Sequence, residues 1–187
     1  MRHLSKIGIA VAVAVSAFVA NVGPSTAAVA PQGLARGTTT VTLDQGTIGA
    51  VVGLGLTPAA VEPGVLGTDG GELLAAFPIV GNMRGGVIKH TGGLSLSAGG
   101  DVLTLTNYAI DLRDPMHPVL RAMAAWNGDE LGQIVLFDLG AAPAGFSCGG
   151  VAASLSLDAE AAGALHALFG APNLTGTHFG TACVVPR

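Results

Sequence analysis

The chain is poor in charge. Asp, Glu, Lys and Arg make up 11% of its 187 residues, less than half the ~25% of an average globular protein. Charge-driven disorder needs the opposite composition and is excluded. Basic residues are scarcest, with 8 Lys and Arg against 12 Asp and Glu, so the electrostatic footprint of a nucleic-acid binder is missing. A long helical bundle is excluded as well, because Glu, Lys and Arg are few and Gly numbers 29. Aromatics are 4%, with a single Trp and a single Tyr. Cysteine is limited to two. What remains is a Gly-rich, half-apolar chain of single-domain length, and a β-rich globule is the expectation.

No apolar run reaches the ~20 residues of a spanning helix. The longest, residues 7–20, is interrupted only by Ser16 and follows Arg2, His3 and Lys6. Small residues Thr26-Ala27-Ala28 come next. This is the layout of a secretory signal peptide, read over residues 1–27. Removing it takes Arg2 and Lys6 and leaves six basic residues against twelve acidic, which disfavours phosphate backbones and anionic membranes. Residues 28–38 read as a mobile leader, and residues 39–187 as one domain. No Cys follows the apolar run and no apolar tail closes the chain. A secreted protein without a membrane anchor is expected.

Cys148 and Cys183 both fall in the exported part, where an even count reads as one disulfide. It closes a loop of about 36 residues, worth roughly 4 kcal/mol in the chain-entropy model. A metal site has no C-x-x-C spacing to support it.

Strand signals dominate the domain. Residues 38–43 are Thr- and Val-rich. Asp44 is placed to cap a helix over 45–54, weakened by internal Gly. Residues 56–71 read as loop with one short strand. Residues 73–80 form a strand in which Pro78 marks an edge or bulge. Shorter strands follow at 86–90, 94–97 and 103–106. Tyr108, Ile110 and Leu112 then take the opposite parity, so a bulge or a crossing between sheets is expected near Asn107. Asn127-Gly128 turns a hairpin between 120–126 and 133–139. A strand at 151–157, a helix from Asp158 to Phe169 stopped by Gly170, and a strand at 177–185 complete the chain. Leu43-Asp44 and Leu157-Asp158 open two similar strand-to-helix units, expected to cap opposite ends. The fold expected is an antiparallel β-sandwich of immunoglobulin-like size with one or two short helices.

Catalytic motifs are thin. Gly145-Phe146-Ser147-Cys148-Gly149 matches G-x-S-x-G, with Asp158 and His166 or His178 in the Ser-Asp-His order of secreted esterases. An elbow needs a strand before the Ser and a helix after it. Here Ala and Pro precede and a Gly pair follows, so no catalytic residue is assigned. His90, His117, His166 and His178 show no H-x-x-x-H spacing, and no metal site is expected. Asn173-Leu174-Thr175 is a lone glycosylation sequon.

The run Gly85-Gly86-Val87-Ile88-Lys89-His90-Thr91-Gly92-Gly93-Leu94, with Asn107-Tyr108-Ala109-Ile110-Asp111 after it, resembles the central motif of HtaA-type domains. These are exported, β-rich bacterial surface modules implicated in haem binding. The resemblance covers roughly residues 77–139. It implies that His90 lies near a haem pocket. The family's iron-ligating Tyr belongs to an N-terminal segment that this chain lacks, and the only Tyr here is Tyr108. His90 and Tyr108 are therefore the ligand-binding candidates, both being competent haem ligands.

Three functions follow in order. The first is an exported, non-enzymatic envelope or extracellular module that binds an unidentified protein or envelope partner and needs no cofactor. The second is a binder of haem or another small hydrophobic ligand. The third is a secreted esterase using Ser147.

Overall fold

A computed structural model describes residues 36–81, 83 and 85–187. The signal peptide and residues 28–35 lie outside the described residues. The elements run β1 (Gly37–Leu43), α1 (Gln45–Gly53), β2 (Thr57–Val61), β3 (Val65–Asp69), β4 (Glu72–Val80), β5 (Val87–His90) and β6 (Gly93–Ala98). They continue with β7 (Asp101–Asp111), β8 (Val119–Trp126), β9 (Asp129–Ala141), β10 (Val151–Leu157), α2 (Ala159–Phe169) and β11 (His178–Pro186). The first strand thus begins at Gly37, inside the stretch read as leader.

The mainly antiparallel β reading holds, but the sheet is not a plain sandwich. Eight strands close into a barrel in the order β1, β4, β5, β7, β8, β9, β10, β11 and back to β1. The cause is β7. One edge of this strand pairs with β8 along most of its length, while the other pairs first with β6 and then with β5. The switch comes at Asn107, which has φ 51°, where the register with β8 shifts between Thr106 and Ala109. That is the phase change visible in the sequence, and it bends the sheet into a closed ring instead of passing the chain between two layers.

Strands β2, β3 and β6 lie off the ring. β6 extends from β7, β2 pairs with β6, and β3 pairs with β4. Two strands therefore occupy residues 57–69, where one was expected. Their sequences hide them: Pro58 interrupts β2, both strands are largely exposed, and neither alternates. Pro78 sits inside β4, not at a sheet edge. The partner of that side of β4 changes there, from β3 up to Ala76 to β5 from Ile79, so no ladder hydrogen bond needs the missing N–H. The crossing from β5 to β6 is tight. A Cβ on Gly93 would overlap the Leu105 carbonyl oxygen, and one on Gly92 would meet the Gly64 nitrogen.

Both helices sit at one end of the barrel, which corrects the expectation of opposite ends. Leu43, at the end of β1, and Leu155, near the end of β10, both stand opposite Gly180 of β11, so α1 and α2 leave from the same rim. Asp44 Oδ1 accepts the Thr47 N–H at 2.9 Å and Asp158 Oδ1 accepts the Glu160 N–H at 2.7 Å. These are N-caps, worth about 1 kcal/mol each. Gly170 ends α2 with φ 67°. Inward residues Val41, Phe77, Ile79, Leu103, Leu155 and Leu157 form the core with Ala161 and Leu165 of α2. Full burial of an aliphatic side chain such as Ile79 contributes about 1.5–3 kcal/mol. No helix among the described residues is long and apolar enough to cross a membrane.

Candidate functional site

The two ligand-binding candidates come together inside the barrel. His90 ends β5 and Tyr108 follows the Asn107 bulge of β7, and both are 4% exposed. The bulge re-aims Tyr108 inward, where its ring packs edge-on to Phe77 with centroids 4.8 Å apart. His90 Nδ1 lies 3.2 Å from the Tyr108 carbonyl oxygen, and Nε2 lies 2.7 Å from Thr39 Oγ1. A carbonyl only accepts, so Nδ1 carries the proton. Nε2 then accepts from the Thr39 hydroxyl. Burial pushes the His90 pKa below its ordinary value, favouring this neutral form. The Tyr108 hydroxyl oxygen accepts the Leu94 N–H at 3.1 Å, and burial raises its pKa far above the usual phenol range.

Around this pair runs a cavity of about 110 Å³, bounded by Val41, Leu66, Leu94 and Leu105 on the strands and by Val51 and Leu165 on the helices. Its wall is almost wholly apolar. His90, Thr39 and Tyr108 present carbon to it while their polar atoms bond one another or the backbone. Such a cavity stays dry and favours a non-polar occupant; for scale, an engineered cavity of ~150 Å³ binds benzene.

Haem does not fit this arrangement. An axial ligand needs a free lone pair. His90 Nε2 is occupied by Thr39, and a Tyr108 phenolate is opposed by full burial. The space is also that of a single small ring, not a tetrapyrrole.

The remaining candidates disperse. Cys148 and Cys183 are bonded, with Cα atoms 6.0 Å apart, tying the loop after β9 to β11. Ser147 is exposed in that loop, between two strands and with no helix after it. Asp158 caps α2, and His166 Nδ1 donates to the Ala171 carbonyl at 2.7 Å, so neither is drawn to Ser147. His117 pairs with Asp114 at 3.2 Å on the surface. Outside the barrel, Asp111 receives Arg113 in a two-pronged pair at 2.9 and 2.6 Å, with Arg121 Nε at 3.6 Å. Those contacts hold its carboxyl well below the usual carboxylate range.

Sequence reasoning missed Thr39 as the partner of His90. The signal was there, since Thr39 shares the inward parity of Val41 and Leu43 in β1, a polar residue on an apolar face.

No protein-family model matches the chain, and no curated protein matches it. Among solved structures it is similar to the C-terminal domain of HtaA from Corynebacterium glutamicum, at 14% identity over 81% of this chain and 98% of that one, with a TM-score of 0.49. No functional residue is carried over at this distance.

Proposed function

We propose that the protein is an exported, non-enzymatic binding module whose barrel takes one small hydrophobic molecule. The observation that carries this reading is the apolar cavity bounded by β-strands and both helices. The polar atoms at its margin, on Thr39, His90 and Tyr108, are already hydrogen-bonded. An occupant with hydrogen-bonding groups would lose them to a dry wall, so a compact hydrocarbon-like molecule is favoured. Export rests on the signal-peptide pattern of residues 1–27.

Toluene is a suitable probe. A ligand that binds only the folded state raises the melting temperature in a concentration-dependent way. Ala161, on α2, borders the cavity, and Ala161→Leu fills part of it. The expected result is a saturable toluene-dependent rise in melting temperature that this substitution abolishes. No rise at high toluene would overturn the reading. A parallel haemin titration is expected to give no Soret shift that depends on His90 or Tyr108; a one-to-one shift lost in His90→Ala would restore haem as the ligand.

A further inference from the structure

A second concavity of about 360 Å³, sharing only Leu43 with the apolar cavity, lies where β1 meets β11. This is within the ~300–1,000 Å³ of small-molecule sites. Thr42, Asp44, Glu72, His178, Thr181 and Phe146 line it. Phe146 comes from the loop after β9, held there by a turn in which its N–H meets the Pro143 carbonyl at 3.1 Å. Two residues on, Cys148 fastens the same loop to β11. The disulfide thus ties the loop that carries Phe146 to the strand that carries Thr181.

Thr181 distinguishes this cleft from ordinary surface. It stands opposite Thr42 in the β1–β11 ladder, on the outward face, yet is only 6% exposed. Its hydroxyl makes no hydrogen bond among the described residues. Every side-chain oxygen sealed from solvent has a partner, so this hydroxyl is not sealed, and Thr181 is among the residues that line the cleft. Asp44 remains anionic there, its pKa lowered by the Thr47 N–H first and by His178.

We infer that this cleft binds a short saccharide. Thr181 and Thr42 can both donate and accept, while Asp44 and Glu72 accept only. That set complements a polyol, whose hydroxyls donate to carboxylates and accept from threonines. A sugar's C–H face can cover the Phe146 ring. A purely apolar molecule would strand the carboxylates, and an anion would be repelled by them. A metal ion is not served, because no three of His, Cys, Asp and Glu among the described residues stand close enough to hold one.

The test uses the oxidised protein with maltose, cellobiose and diacetylchitobiose, read by saturation-transfer NMR and titration calorimetry. At least one is expected to bind saturably. Phe146→Ala and Thr181→Val are each expected to weaken it about tenfold, the equivalent of one lost contact. Thr181→Ser keeps the hydroxyl and is expected to restore binding, which separates loss of the contact from a folding defect. Reduction of the disulfide is expected to weaken binding by freeing Phe146. Failure of all three sugars to bind, binding indifferent to both substitutions, or occupancy by tetramethylammonium alone would each overturn the inference.

Discussion

Thr39 and His90, 51 residues apart in the chain, are joined by a 2.7 Å hydrogen bond inside the barrel. Through Nδ1 the same imidazole reaches the Tyr108 carbonyl. One side chain on a four-residue strand therefore ties β5 to both β1 and β7. His90 thus braces the wall of the barrel from inside.

Breaking that bracket should be expensive. Thr39→Val leaves Nε2 without a donor in a buried site and is expected to cost ~1–3 kcal/mol. His90→Ala removes volume as well and is expected to cost more, ~3 kcal/mol. Urea unfolding with the disulfide intact measures both. Equal stability of Thr39→Val and the parent chain would show the bond to be dispensable.

His90 also sets a pH dependence. Its folded pKa is depressed by burial below 6.5, so the folded state binds fewer protons than the unfolded state just below that value. Its contribution to stability is present above about pH 6.5 and is lost as pH falls towards the folded pKa. Asp44, Asp111 and Asp114 are all lowered from 3.8, so their contributions are lost in a separate, more acidic window. Unfolding free energy is expected to fall from about pH 7 to about pH 5. In His90→Gln that slope should be shallower. An identical slope in both proteins would place the titration elsewhere.

Asp111 should titrate abnormally. Its two-pronged pairing with Arg113 and the nearby Arg121 predict a carboxyl that stays ionised below the usual range. Carbon-detected NMR across the acid limb reads this directly. Arg113→Ala is expected to raise the value towards 3.8 without reaching it, because the side-chain pair is the largest cause while the residue-113 N–H and Arg121 remain. A titration unchanged by Arg113→Ala would assign the shift to other groups.

Two glycine substitutions should move stability in opposite directions. Gly49 is exposed in α1 and a Cβ there meets nothing within 4 Å, so Gly49→Ala is expected to stabilise by ~0.5–1 kcal/mol. Gly93 faces the Leu105 carbonyl, and Gly93→Ala forces β6 away from β7. It is expected to destabilise by more than Gly49→Ala gains. Thermal melts of the two variants beside the parent decide the matter.

Replacing both cysteines by serine removes a cross-link across 35 positions. In the chain-entropy model the loss is roughly 4 kcal/mol. A double variant as stable as the oxidised parent would show that the constraint on the unfolded chain is offset in the folded one.

Local features were legible and long-range ones were not. Asp44, Asp158 and Gly170 announce helix ends because capping chemistry is confined to a few adjacent residues. Asn127 and Gly128 take φ 52° and 94°, the mirror-image turn that Asn-Gly favours. The parity change at Asn107 was visible too, but its outcome was not. Whether a bulge feeds a second layer or closes a ring depends on which strand meets the free edge, and the β1–β4 and β1–β11 pairings join segments distant in sequence. The site was half legible for the same reason. His90 and Tyr108 stand out as rare residue types, whereas Thr39 gains meaning only from the ring that carries it to His90. Phe146 and Thr181 carry no motif; a covalent tie and a strand register bring them to one cleft.

Ring closure also sets the two ends of the domain side by side. Gly37 stands opposite Pro186, and the Arg187 N–H meets the Arg36 carbonyl at 2.7 Å. Chain order and spatial order are thereby uncoupled. A few residues of linker could join these ends, and new termini could be cut at the exposed Asn127-Gly128 turn, leaving every rung of the ladder intact. The barrel is a shape that tolerates being started from a different place, or carried as a bead within a longer string.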